Sequence, residues 1–543
     1  MKRKAVAAVL TAVMVASMFT GCGSDKGSSS AKSASAASAA NDTVDEDGKV
    51  NGIMYQEGLP LVDEGDYTFS IFCDDSSESG EFIMLDEFKK QTNVDVDLKI
   101  YPYETATERL NLDLNSGDYA DVIGGWTLSD NAILTYGVNQ GVFIPLEDYF
   151  EKYCPNISAI LDLPGVREKM TAPDGHIYTI PYVCADTTVG YSPYINTKWL
   201  ENVGMSMPTT TDEFEAVLKA FKEQDANGNG DASDEIPFST DPNNKHIEAM
   251  AGYFGLPMNK LGIAIQNEKV VYGGVSDTYR EFLSWFHKLY AEGLVDVELY
   301  TQDSSTWEGK GNQDLYGVSI AYGSNEFTGI PAAEERGDFD SMPVLNTDKD
   351  GIWLRDTEGF SVYRTQAVIT NKAEHPEIIC RWFDNAFALE NGIGCNRGPV
   401  GVIVNKEDDG YHAIDTTTLS EEDQEKYSWG NLWPQSLPKY LPVDFEFVEE
   451  HPMYDEKKAT EEAYEANLTK EIIPSYWIDL DKIDTFSDTN TAIKDFFEQQ
   501  QAQFVCGELD IDNDADWQAY VDGMYSLGLE DWVATQGIEE IAK

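Results

Sequence analysis

Basic residues are scarce in this chain. Its 543 residues include 38 Lys and Arg against 97 Asp and Glu, a net charge of −59. A surface this acidic repels nucleic acid and anionic lipid, and it disfavours a polyanionic ligand outside a local basic pocket. Histidine is scarcer still. His176, His246, His287, His375, His412 and His451 form no HExxH and no other close pair, which disfavours a zinc hydrolase. The seven cysteines show no CxxC or finger spacing, so no structural zinc is expected. Disulfides are open to an extracellular chain, but a body of this size does not need them. GxSxG, a P-loop and GxGxxG at a strand–helix junction are all missing. Beyond residue 21 no apolar stretch reaches the roughly 20 residues of a membrane helix.

What is present begins at the N-terminus. Lys2, Arg3 and Lys4 precede an apolar run from Ala5 to Phe19, and Thr20-Gly21-Cys22 follows as a small-residue cleavage site. That order is a secretory signal peptide over residues 1–21. A signal ending in Gly-Cys resembles the bacterial lipoprotein lipobox, which implies that Cys22 receives lipid and becomes the first mature residue. Loss of Lys2, Arg3 and Lys4 leaves 35 basic residues and a charge of −62. From Ser24 to Asn41 the chain is mostly Ser, Ala, Gly, Lys and Asp, with nothing large to bury. Residues 22–65 are therefore expected to form a lipidated flexible tether.

The remaining body exceeds what one hydrophobic core normally serves, so two lobes are expected. Tyr67–Phe72 reads as a strand, Glu81–Gln91 as a helix, and Val94, Val96, Leu98 and Ile100 alternate with polar residues as a second strand. A helix around Ala106–Leu114 and a short strand at Asp121–Ile123 complete βαβαβ, the opening of an α/β domain with a parallel sheet. Ligands bind beyond the carboxyl ends of such strands, which points to Asp74, Asp75 and Ser76 and to Gly125 and Trp126. Further on the period becomes helical: Phe214, Val217, Leu218 and Phe221 after a start at Thr211 and Asp212; Phe282, Trp285, Phe286 and Leu289; and Ile378, Ile379, Trp382, Phe383 and Ala386 after Pro376. These regularly spaced aromatics read as core.

One loop carries metal chemistry. Asp225, Asn227 and Asn229 occupy positions 1, 3 and 5 with Gly230 at 6, the first half of an EF-hand calcium loop. Position 12 is Ile236, so the second half departs from that pattern. Glu235 is expected to close a shortened loop, with the Asp231 carbonyl and Ser233 or Asp234 filling in, around a structural Ca2+. Two other acidic stretches read more simply. Asp350-Gly351 is expected to be a hairpin turn, and Asp514 to cap a helix carrying Trp517, Tyr520 and Val521.

Several motifs then follow in order along the chain: Ser116-Gly-Asp-Tyr-Ala-Asp121-Val, Gly141-Val-Phe-Ile-Pro145-Leu, Asp174-Gly-His-Ile-Tyr178-Thr-Ile-Pro181, Ile195-Asn-Thr-Lys-Trp-Leu200, Pro208-Thr-Thr-Thr-Asp-Glu-Phe214, Leu289-Tyr-Ala-Glu-Gly-Leu294, and Gln503-Phe-Val-Cys-Gly-Glu508 with Asp516-Trp-Gln-Ala-Tyr520. With the lipobox, they resemble the family 1 extracellular solute-binding proteins, in the long lipoprotein type that serves carbohydrate ABC importers of Gram-positive bacteria. The resemblance implies an α/β fold of two periplasmic-binding-protein-like lobes, with hinge crossings and a central ligand cleft. It places residues 66–183 plus about 310–370 in lobe one, and residues 184–309 plus about 371–543 in lobe two. Crossings are expected at Pro181–Val189, near Ser304–Asn325 and near Thr370. It also implies a monomer on the outer face of the cell membrane, held there by its lipid alone, that passes its ligand to ABC permease subunits and is not an enzyme.

Sugars present apolar ring faces edged by hydroxyls, so a sugar cleft offers aromatic platforms and polar groups that orient them. Trp126, Tyr182, Trp307, Tyr322, Trp353 and Trp433 are the aromatic candidates, with Asp74, Asp75 and Arg397 for polar contacts. Such a cleft suits an oligosaccharide, and the same residue types also serve peptide ligands. A surface glycoside hydrolase or a carbohydrate-binding adhesin lipoprotein are the competing classes, since paired carboxylates arise by chance in so acidic a chain.

Overall fold

The computed structural model describes residues 42–75, 81–242, 246–329, 337–448 and 452–542. Cys22, the signal segment and Ser76 lie outside the described residues. The expected opening is present: strand Tyr67–Asp74, helix Ile83–Thr92, strand Val94–Tyr101, helix Tyr103–Ser116 and strand Val122–Gly124. Tyr67–Asp74 pairs parallel with both other strands, and Phe360–Ile369 then adds antiparallel to Val122–Gly124 and to Thr179–Ala185. The result is a five-stranded sheet. A second sheet of four strands is ordered Phe339–Ser341, Ser192–Asn196, Tyr316–Ala321, Ile236–Thr240.

Each sheet has its own core, as the two periods require. Phe69, Ile71 and Val122 of the first sheet pack with Ile378, Ile379, Trp382, Phe383 and Ala386 from helix Pro376–Ala386, which starts on its proline. Behind the second sheet lie Phe214, Val217, Leu218 and Phe221, together with Phe282, Phe286 and Leu289. The helix Thr211–Glu223 is capped by Thr210, one residue before the expected start; its hydroxyl accepts from the Glu213 N–H while the Glu213 carboxylate accepts from the Thr209 N–H and hydroxyl. Likewise Asn513, and not Asp514, caps helix Asp514–Ser526. Asp350-Gly351 joins no ladder: Ile352 N–H donates to the Gly252 carbonyl, and Trp353 bridges to Leu468.

The pairings also correct the expected division of the chain. Tyr316–Ala321 belongs to the second sheet and helix Pro376–Ala386 to the first core, against the expected placement, whereas Phe360–Ile369 in the first sheet and residues 493–542 in the second core lie where expected. Thr370 closes the first sheet, donating its N–H to the Asp121 carbonyl, so no crossing lies there. Residues 304–325 contribute a helix and a strand within the second half, so no crossing lies there either. The chain passes between sheets at 186–191, overlapping the expected Pro181–Val189, and again at about 355–359, and it returns from the first core to the second between Tyr440 and Tyr464. The first two segments run together: Asp186 N–H donates to the Gly359 carbonyl, Asp356 N–H to the Thr188 carbonyl, and Gly190 N–H to Asp356 Oδ2. The tether also ends earlier than residue 65. Lys49–Val50 and Met54–Tyr55 form a small hairpin, and Val50, Met54, Leu61 and Val62 are buried in the first core. No described helix is long and apolar enough to cross a membrane.

Candidate functional site

Strand direction puts the carboxyl ends of Tyr67–Asp74, Val122–Gly124 and Thr179–Ala185 on one edge of the first sheet, beside the start of Phe360–Ile369. The second sheet's corresponding edge carries the start of Ser192–Asn196 and the end of Tyr316–Ala321. Because the segments 186–191 and 355–359 leave from these edges, the two strand-end surfaces meet at the crossings. This is where an open α/β sheet takes its ligands.

On the first edge three aromatic rings form a cluster. Tyr182 stacks on Tyr363 with centroids 5.4 Å apart, and Trp126 meets Tyr363 edge-on at 5.2 Å. Trp126 is 46% exposed, so the indole offers a free surface. On the second edge Tyr191 stacks on His246 at 4.1 Å and meets Tyr322 at 6.0 Å. The Lys457 ammonium sits 3.7 Å from the Tyr322 ring centroid and donates to the Gly190 carbonyl. Burial lowers Lys457 to about 8, against the opposing pull of Glu326, Glu456, Asp186 and Glu461. Asp186 ties the two edges together: Tyr322 Oη donates to its Oδ1 at 3.1 Å and Ser361 Oγ to its Oδ2 at 2.5 Å.

Asp74 and Asp75 differ from the expectation that they touch sugar. Both are buried. Asp74 Oδ1 accepts from the Trp126 N–H at 3.0 Å and its Oδ2 from the Thr127 N–H at 2.6 Å. Asp75 Oδ2 accepts from the Gln435 N–H at 2.7 Å. Consecutive carboxylates at one strand end therefore hold two separate loops. Gly125 makes the first clamp feasible: its φ is +137°, and a Cβ there would lie 2.3 Å from Asp74 Oδ1.

Three tryptophans are corrected to core. Trp307 is 3% exposed, packs on Phe327 and donates its Nε1–H to Ser319 Oγ. Trp353 is 1% exposed, between Tyr253 and Tyr464. Trp433 is fully buried against Trp382 and Phe88. Polar neighbours in sequence did not keep Trp307 at the surface, because helix Ser304–Asn312 turns it inward. Arg397 is the last residue of helix Leu389–Arg397. Tyr363, Tyr191, Asp186 and Lys457 escaped the sequence reading. The signal that could have found Tyr363 is an aromatic at the polar, irregular middle of a strand, where the ladder register shifts between Tyr363 and Ala367.

The acidic loop joins helix Thr211–Glu223 to strand Ile236–Thr240. Gly230 N–H donates to Asp225 Oδ2, and Ala226 N–H to Glu235 Oε1. Asn227 and Asn229 each accept through Oδ1 from the N–H two residues on, and each donates its amide to the Asp234 carboxylate. Asp231 Oδ1 accepts from Ser233 N–H and Oγ. Two oxygens remain over: Asp225 Oδ1 and Glu235 Oε2 are buried without a hydrogen-bond partner among the described residues. Buried, unpartnered carboxylate oxygens from the two ends of one loop fit a bound cation.

His246 supplies a pH handle. Burial, with Lys260 as the lesser cause, lowers it to about 4. The native ring is neutral, while an unfolded one protonates near 6.5, so native stability is lost as pH falls from about 6.5 towards 4. His246→Asn, which tolerates the φ of +47° here, should make the acid side of the stability profile shallower by up to about 1.4 kcal/mol per pH unit. Urea melts of both proteins across that range check it; parallel profiles would contradict it.

Residues 76–392, more than half of the chain, match the bacterial extracellular solute-binding proteins, and the chain belongs to that family. It has the two-lobe α/β fold of periplasmic-binding-protein-like receptors. Among its relatives is the fructooligosaccharide ABC transporter substrate-binding protein FusA of Streptococcus pneumoniae, 33% identical over 335 residues, which are 60% of this chain and 61% of FusA. The match thus spans about three-fifths of that relative's length. Lipoprotein LipO of Bacillus subtilis is 28% identical over 280 residues, 50% of this chain and 52% of LipO. A solved structure of the S. pneumoniae FusA EF-hand mutant in complex with fructo-nystose is similar with a TM-score of 0.74 at 27% identity, covering 86% of this chain and 98% of that one.

Proposed function

We propose that this protein is a lipid-anchored, extracellular carbohydrate receptor of an ABC importer, which captures an oligosaccharide by closing its two lobes on it. One observation carries the reading: two aromatic clusters, Trp126–Tyr182–Tyr363 and Tyr191–His246–Tyr322, stand on the two strand-end edges, with Asp186 bonded to Tyr322 and to Ser361, on the strand that carries Tyr363. Sugar rings stack on such faces, and a ligand gripped from both edges favours the closed form. FusA, a relative over much of the chain, is a fructooligosaccharide binder by name, which supports the same ligand class here. The lobes are the halves built on the two sheets, joined by 186–191, by 355–359 and by the return between Tyr440 and Tyr464. The lipidated Cys22 holds the receptor at the membrane, where it docks as a monomer on permease subunits. No turnover is part of this role.

In the same reading the loop 225–235 holds a structural Ca2+. Asp225, Asn227, Asn229 and Glu235 would supply oxygens, with Asp231, Ser233 and Asp234 shaping the turn. The ion would pin a helix end to a sheet strand, neutralising carboxylates that otherwise repel. The relative solved as an EF-hand mutant supports a loop of this kind.

Paired variants separate platform from core. Trp126→Ala is expected to weaken sugar binding by about 30-fold or more while leaving thermal stability nearly unchanged. Trp353→Ala, in contrast, should cost about 3–5 kcal/mol of stability, the usual loss for a buried tryptophan. Calorimetric titration and urea melts of both variants decide it, and equal sugar affinity in Trp126→Ala and wild type would sink the platform assignment.

A further inference from the structure

The loop held by Asp75 carries a second exposed indole. Trp429 is 57% exposed, the more open of the two tryptophans at this edge. Its backbone is not loose. Gln435 takes the Asp75 carboxylate through its N–H, and its Nε2 donates to the Trp429 carbonyl at 2.8 Å. Lys439 donates to Gln435 Oε1 at 2.7 Å and places its ammonium 5.4 Å from the Trp429 ring centroid. Gln435 and Lys439 are themselves buried. An exposed ring is thus fixed by a buried polar chain that starts one residue after Asp74, the anchor of Trp126.

The two indoles share one strand end. Asp74 holds the Trp126 backbone, and Asp75, through Gln435, holds that of Trp429. Tyr182 lies 6.4 Å from Trp126, and the Lys439 ammonium sits over the Trp429 ring. Two exposed aromatics anchored at one strand end suit successive rings of one extended ligand.

We infer that Trp429 is a second aromatic platform of the ligand site, so that the site takes a chain of sugar rings and discriminates by length. This rests on the carbohydrate reading above.

The test is calorimetric titration of wild type, Trp429→Ala, Trp429→Phe and Trp126→Ala with sucrose, kestose and nystose and with gluco-, xylo-, manno- and galacto-oligosaccharides of two to four rings. In the series that binds, wild-type affinity should rise with length. Trp429→Ala should lose that rise, about ten-fold or more on the four-ring member, with the two-ring member unchanged and Trp429→Phe largely restored. Trp126→Ala should weaken every length. Because Trp429 is exposed, the variant keeps its fold, and equal melting temperatures verify this. Retention of the full length dependence by Trp429→Ala, or no length dependence in wild type, overturns the inference and leaves the carbohydrate reading standing. Silence of wild type to every series overturns that reading and the inference with it.

Discussion

Gly125→Ala is expected to abolish measurable ligand binding and to destabilise the fold. The new Cβ would lie 2.3 Å from Asp74 Oδ1 and within 2.6 Å of the whole carboxyl group. Asp74 is fully buried and holds the Trp126 and Thr127 N–H groups, so it cannot swing away without leaving polar groups unpaired. The φ of +137° adds strain for any residue with a side chain. Together these should cost about 2–4 kcal/mol of stability and move the Trp126 indole off its site. Affinity should then fall about a hundred-fold or more, the scale of losing an aromatic hot spot together with its loop. Calorimetric titration reads the affinity and urea unfolding the stability. Wild-type behaviour in both would mean that Asp74 does not set the indole.

Calcium should give the other large effect. A cation bound only by the native loop stabilises the fold by about 4 kcal/mol at a thousand times its dissociation constant. Chelation should therefore lower the melting temperature by several degrees, and calcium should restore it where magnesium does not. Asp225→Asn and Glu235→Gln change the two carboxylates whose spare oxygens are buried, so each should abolish most of the calcium response. Thermal melts with chelator, calcium and magnesium test this. A melting temperature indifferent to chelation would show that the loop closes by its own hydrogen bonds.

The sequence was most legible where one short period decides the structure. The 3.6-residue spacing of Phe214, Val217, Leu218 and Phe221 names one buried face, found in the second core. The alternation over residues 94–100 names a strand whose Val94 is buried and whose Val96 and Leu98 pack partly on the first core. Tyr316–Ala321 was not legible in the same way. It is buried throughout, so its residues carry no mark of which sheet they join. The crossing at 355–359 was hidden for the opposite reason: Arg355-Asp-Thr-Glu-Gly359 looks like any polar loop, and only its bonds to 186–190 reveal it. The site behaved likewise. Trp126 stands after the strand end that its two preceding glycines mark, with its indole half exposed. Trp307 sits among polar residues yet faces inward on a helix, where Gly311 lets the Phe327 backbone approach. Asp74 and Asp75 stand at the strand end where they were expected, and the structure adds what the sequence does not show, that backbone N–H groups of the loops at Trp126 and Gln435 donate to them.

Receptor and enzyme differ most directly in what becomes of the sugar. The measurement is thermal shift of the purified protein with the oligosaccharide panel, followed by chromatography of the same samples. Binding without chemistry predicts a clear rise in melting temperature with one series and complete recovery of the intact sugar. Shortened sugar in those samples would contradict the receptor and make the cleft an active site.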